Sequence, residues 1–281
     1  MRKYMKYEIK GSYKFILGIL SILIIASTII QMNVSKFVEF DNINTPQNVT
    51  GFKGLMLFVS VLVIFGAFLT AFFHIIGSFK KELYEDRGYL TFTLPLTGNK
   101  ILGAKLIVAI MWFAVLGIGT FLFNMLLAII LYGSEWLNIV KQALGMVNSV
   151  WISVVLISGL SAIMTLILIY FSMALSRVSI RNKKIGGLWF VIFLILNAVL
   201  SYIILKISGA IPYFINLSSF GISHYYELSM LPDFVTGAEQ IILIDNNFNG
   251  YLNIASVLSH VLASVGAFLS TGYLIEKKID L

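Results

Sequence analysis

Six apolar runs set the pattern of the chain, at 15–32, 55–77, 106–132, 150–175, 187–205 and 252–275, and none of them holds an Asp, Glu, Lys or Arg. A helix needs about 20 such residues to cross the hydrocarbon core of a bilayer. The pattern therefore predicts an all-α membrane protein with six transmembrane helices in a single domain over 1–281. The polar connections differ in length and no internal repeat is visible. Inverted-repeat carriers, by contrast, show matched, Gly- or Pro-broken helices in two halves.

Arg2, Lys3, Lys6, Lys10 and Lys14 precede the first run, as in a signal peptide. Its apolar part exceeds a usual h-region, and no small-residue cleavage site follows at 31–36, so a retained first helix is expected. Tyr4, Met5, Ile9 and Tyr13 lie among the cations and make a rough apolar face. That mixture predicts a short amphipathic helix in the membrane interface, held by aromatic anchors and anionic lipid.

Charge sets the expected orientation. Of the 20 Lys and Arg, sixteen fall in 1–14, 78–105, 176–186 and 276–281, and four in 33–54, 133–149 and 206–251. Cytoplasmic loops collect basic residues, so both termini are expected on the cytoplasmic side of a bacterial cell membrane. The formal charge of +7 then marks a membrane face rather than a nucleic-acid surface. Charged residues make up only 12% of the chain, about half the share in a soluble domain. With no cysteine, disulfides, thiolate zinc sites and cysteine nucleophiles are excluded.

Ionisable side chains inside a membrane usually mark ion paths or proton relays, and here the runs hold only His74 and His260. This argues against a proton pump, a sodium-coupled carrier or a voltage sensor. The two histidines lie at different depths, so they cannot share a metal within one subunit, and each suits hydrogen-bonded packing. His224 with Glu227, Asp233 and Glu239 offers only H-x-x-E, short of the convergent set a metal needs. H-E-x-x-H, G-x-S-x-G and the P-loop pattern are all missing. The chain is therefore not expected to be an enzyme or to hydrolyse ATP itself. Polar lines follow helical spacing: Gly66, Thr70, His74 and Ser78; Ser158, Ser161, Thr165 and Ser172; Ser256, His260 and Thr271. Small and hydroxyl residues suit either helix packing in lipid or the lining of a substrate path. Asn124 and Asn197 are mid-run amides that need partners.

The connection 78–105 reads SFKKELYEDRGYLTFTLPLTGNKILGAK. Charges cluster at 80–87, Gly88 breaks them, an apolar stretch Tyr89–Leu94 follows, and Pro95 ends it; Lys100 and Lys105 anchor the third span. An exposed segment this apolar, rimmed by charge, suits a protein interface.

With its basic start KYMKYEIKGSYK, this connection and the tail GYLIEKKIDL, the chain resembles the permease subunits of ABC-2 type ATP-binding-cassette exporters, especially those of low-GC Gram-positive bacteria. The most specific part is Gly88–Lys105. The resemblance implies a second permease, identical or homologous, and separate ATPase subunits that bind ATP and Mg. It implies a cytoplasmic coupling helix between spans 2 and 3 that sits on the ATPase, carried here by Glu82, Leu83, Tyr84, Glu85, Asp86 and Arg87, with Tyr89, Leu94 and Pro95 following. Short outer helices are implied between spans 5 and 6, over 206–251. An apolar path with scattered Ser, Thr and Asn favours an amphipathic or hydrophobic cargo, such as a peptide, antibiotic or lipid. A resistance or sensing module of the same family, or an ATP-independent scaffold or channel, remain alternatives.

Overall fold

In lipid every backbone N–H and C=O must find an internal partner, which leaves helices as the form available to apolar runs of this length. The structure, a computed structural model, describes residues 1–40, 51–84, 96–145, 149–179, 187–217, 219–229, 241–244 and 249–277. Its helices are α1 (Arg2–Phe40), α2 (Gly51–Tyr84), α3 (Gly98–Gly145), α4 (Ser149–Ser179), α5 (Leu188–Ala210), the short α6 (Tyr225–Ser229) and α7 (Ile254–Lys277). Among the described residues six helices are long and apolar enough to span a membrane: Arg2–Met32, Phe58–Tyr84, Gly98–Gly133, Val150–Val178, Leu188–Ala210 and Ile254–Lys277. They match the six predicted runs, and the chain is a multi-pass membrane protein by length and composition. Ile130 is 77% exposed, Leu262 71% and Phe121 66%, side chains that lipid accepts and water does not.

The chain divides into two compact units, residues 1–79 with 103–142, and 80–102 with 143–281. In the first, Ile16, Ile19 and Leu23 of α1, Ala67, Ala71 and Ile75 of α2, and Val108, Ala109, Trp112 and Leu116 of α3 form one core. Their spacing of three and four puts each set on one helix face. Ala71 and Ala109 are fully buried, the small residues that let helix backbones approach in lipid. In the second unit α4 packs on α7 and α5, and α5 on α7. Met164 and Leu168 meet Ile204 there, with Ala263 and Ala267 against them.

Two expectations are corrected, and one further element appears. The basic start is not a helix of its own: α1 runs unbroken from Arg2 to Phe40. Tyr4 and Ser12 are buried, so one side of the start packs within the first unit while its cations stay outside. The connection after span 3 is partly helical, because α3 resumes beyond a break at Gly133. The chain is also not all-α. The segment between spans 5 and 6 holds the strands β1 (Tyr213–Asn216), β2 (Ile222–His224), β3 (Ile242–Ile244) and β4 (Gly250–Asn253), where short helices were expected. α6 is the described helix in that segment. The sheet is antiparallel in the order β2-β1-β4-β3, with Tyr213 opposite His224, Phe214 opposite Asn253 and Leu243 opposite Tyr251. Phe214, Leu243, Tyr251 and Leu228 close a small core on it. Aromatic and β-branched residues such as Tyr213-Phe214-Ile215 suit a pleated surface, and that preference outweighed mean hydropathy here. Asn253 joins sheet to helix. Its Oδ1 accepts from Ser256 N (2.8 Å) and its Nδ2 donates to Ser208 O (3.1 Å), capping α7 and holding the end of α5.

Gly133 has φ 57° and ψ −130°, a conformation that a Cβ disfavours. Gly133→Ala is expected to destabilise by about 1–3 kcal/mol. The helical Gly159 has open space where a Cβ would stand, so Gly159→Ala should be neutral or slightly stabilising. Thermal unfolding of both variants in mild detergent checks the contrast.

Candidate functional site

A polar side chain on a membrane helix must be satisfied by its own helix, by a neighbour or by water. Most of the predicted polar lines take the first course. Thr70 Oγ1 donates to Gly66 O (2.7 Å), Ser158 Oγ to Val155 O (3.2 Å), Thr165 Oγ1 to Ser161 O (2.8 Å) and Thr271 Oγ1 to Ala267 O (2.6 Å). Thr70 and Ser158 are exposed, Thr165 and Asn197 half-buried.

The two span histidines differ. His74 stacks on Phe15, ring centroids 3.9 Å apart and 18° between planes. His260 is buried, with Nδ1 2.9 Å from Ser256 O and Nε2 3.4 Å from Ser161 Oγ. A carbonyl only accepts, so in the neutral ring Nδ1 carries the proton and Nε2 accepts from the Ser161 hydroxyl. The structure thus brings Ser161 and His260 together as a satisfied pair between α4 and α7. His224 and Glu227 form a turn: Glu227 Oε2 accepts from His224 N (3.2 Å) and His224 Nδ1 accepts from Tyr226 N (3.1 Å). This is how a capping box closes a helix start. Among the described residues no three His, Asp or Glu side chains converge as metal ligands.

Asn124 is the centre of a polar cluster in the first unit. Gln31 Nε2 donates to Asn124 Oδ1 (2.8 Å) and to its backbone carbonyl (3.0 Å). Asn124 Nδ2 donates to Ser27 Oγ (3.1 Å) and Thr120 O (2.8 Å). Gln31 Oε1 and Thr120 Oγ1 are buried without a partner among the described residues. The cluster thus keeps one acceptor and one hydroxyl open to water or another polar group. Sequence reasoning singled out Asn124 and missed Ser27, Gln31 and Thr120. An amide inside the first apolar run was the signal available.

A second missed feature lies near the opposite end of α1. Lys105 Nζ sits 2.9 Å from Glu8 Oε2, with side chains 2% and 16% exposed. It also donates to Ser78 Oγ (3.2 Å) and lies 5.9 Å above the Tyr4 ring. The residue expected to anchor a helix end is a buried cation that ties α1, α2 and α3 together.

Of the residues assigned to coupling, Glu82, Leu83 and Tyr84 are described; Glu85, Asp86, Arg87, Tyr89, Leu94 and Pro95 lie outside the described residues. Glu82 and Leu83 are buried, so they hold the segment rather than face outward. Tyr84 donates from its hydroxyl to Met173 O (3.1 Å), with Arg177 5.9 Å from its ring. On the far flank Thr97 O accepts from Lys100 N (2.9 Å) and Glu276 Oε2 accepts from Gly98 N (3.3 Å). An anionic side chain at a helix N-terminus is favourable. Gly98 and Gly272 cross so closely that a Cβ on Gly98 would collide with the Gly272 carbonyl oxygen. Tyr84 and Gly98, described residues on either side of 85–95, are thus held within the second unit, the first to α4 and the second to α7.

Comparison with protein-family models, with curated proteins and with solved structures finds no match.

Removing one member of a buried ion pair costs about 3–5 kcal/mol, because a charge is left unpaired. Glu8→Ala strands the more deeply buried Lys105, so it should destabilise more than Lys105→Met. The double variant should lose less than the sum of the two. A double-mutant cycle on detergent unfolding midpoints measures this coupling.

Proposed function

We propose that this chain is the permease subunit of an ABC-2 type exporter in a bacterial cell membrane, with both termini cytoplasmic. Two permeases, identical or homologous, form the membrane core. Separate ATPase subunits bind ATP and Mg beneath it and drive alternating access, and the cargo is an amphipathic or hydrophobic molecule moved outward.

The observation that supports this most is the pair of tethers around 85–95. A segment fixed at one end to α4 and at the other to α7 is one through which a partner's movement reaches packed helices. A ligand shifts a conformational equilibrium only by binding its states differently, and ATP between two ATPase subunits supplies that difference. The six apolar runs carry no Asp, Glu, Lys or Arg, which leaves no coupling-ion site of the usual ionised kind in them. In this reading Glu82, Leu83 and Tyr84 position the segment, and 85–95 forms the surface that meets the ATPase. The Ser27–Gln31–Thr120–Asn124 cluster is the candidate contact for the cargo's polar groups.

The test is co-purification with the ATP-binding-cassette ATPase encoded nearest to this gene. Wild type should hold it in mild detergent. Glu85→Ala/Asp86→Ala/Arg87→Ala should lower recovery about tenfold, as expected when interface anchors worth above about 1 kcal/mol are lost. Unfolding midpoints should stay unchanged. Failure of the wild type to bind any ATPase overturns the exporter reading and favours an ATP-independent channel or scaffold.

A further inference from the structure

Lys3, Lys6, Tyr7 and Lys10 line an open groove of about 380 Å³ on α1. At 100° per residue these four positions share an arc of about 100°, which also takes in Lys14. The face beside it is occupied: Tyr4 and Ser12 are buried, and Glu8 is held by Lys105. That ion pair fixes the rotation of the helix and turns the lysines outward. The lining is three lysines and a tyrosine with no acidic side chain among them, so the groove is positively charged. Tyr7, 74% exposed, adds a hydroxyl and an aromatic ring, the kind of side chain that settles at headgroup level.

The same arc continues along the unbroken helix into Leu17 and Ile25, both exposed, with Ser21 between them returning its hydroxyl to Leu17 O (3.0 Å). Leu17 stands about 10 Å from Lys10 along the axis. A basic groove that becomes an apolar stripe on one helix face has the layout of an anionic phospholipid, headgroup first and acyl chains after. A nucleic acid or an acidic peptide needs polar surface throughout, and free phosphate makes no use of the stripe. We propose that Lys3, Lys6 and Lys10, with Tyr7, form a site for the phosphate of an anionic phospholipid whose acyl chains lie along Leu17 and Ile25. The site requires that the chain spans a bilayer and is independent of the exporter reading.

Native mass spectrometry of the full chain in detergent, offered equal phosphatidylglycerol and phosphatidylcholine, tests it. Each basic residue near an anionic headgroup contributes about fivefold. Wild type should therefore favour phosphatidylglycerol by at least about tenfold, and Lys3→Gln/Lys6→Gln/Lys10→Gln should fall to about twofold or less. The arginine triple at the same positions, and Lys100→Gln/Lys141→Gln/Lys206→Gln elsewhere, should keep the preference. Lys6→Gln alone should lose about fivefold and carries the test if the triple variant unfolds earlier than wild type. No preference in wild type, an undiminished preference in the glutamine triple, or an equal loss in the distant triple overturns the proposal. Displacement of the lipid by millimolar inorganic phosphate also overturns it, in favour of a free-phosphate site.

Discussion

Hydrocarbon offers no hydrogen-bond partner, and that single deficit organises this protein. It makes the six apolar runs helical, since a helix satisfies its own peptide groups. It sends Thr70, Thr165 and Thr271 back to carbonyls four residues earlier. It gives both ring nitrogens of His260 a partner and gathers Gln31, Ser27 and Asn124 into one network. The buried cation Lys105 obeys the same rule through Glu8 and Ser78. Four buried atoms depart from the rule among the described residues, Gln31 Oε1, Thr120 Oγ1, Trp112 Nε1 and Ser256 Oγ, and a buried unpaired group costs about 1–3 kcal/mol.

The same deficit says where the fold can change. Among the described residues β2 and β3 are the edge strands of a four-stranded sheet, and an open sheet edge does not face lipid. The strands sit between the end of α5 at Ala210 and the start of α7 at Ile254, beyond the apolar helices that flank them. Asn253 manages the passage from one regime to the other. It pairs within the sheet opposite Phe214, caps α7 and reaches the last turn of α5.

The spans were legible because length and hydropathy report on lipid directly, and Ile16, Ile19 and Leu23 fall where helical spacing puts a core. What escaped was tertiary. Glu8 sits in a run of lysines and reads as one more exposed charge, yet its partner is 97 positions away. Asn124 was visible as a mid-run amide, but its partner Gln31 lies near the end of the first run and reads as a boundary. The stretch around 213–224 was apolar enough to suggest short helices, and its strand character rested on local alternation that mean hydropathy conceals. Glu82 and Leu83 carry the composition of a surface and are buried, since a helix continuing past its span takes its rotation from the packing below.

The exporter proposal places the source of energy outside the chain, and the tethers decide what the chain must then supply. A coupling segment free at either flank would absorb a partner's movement as a change of its own shape. Tyr84 holds one flank through a hydroxyl bond to a backbone carbonyl of α4. Gly98 holds the other by a backbone crossing at Gly272 that admits no side chain, together with the Glu276 carboxylate. The two are unequal in kind. A phenol–carbonyl bond is worth about 1 kcal/mol and can break and re-form, whereas a glycine crossing is set by sterics and resists change. If the segment works as proposed, α7 follows it rigidly and α4 yields first. Tyr84→Phe would then loosen transmission to α4 while leaving ATPase docking intact, whereas a side chain at Gly98 would disturb the fold of the second unit itself.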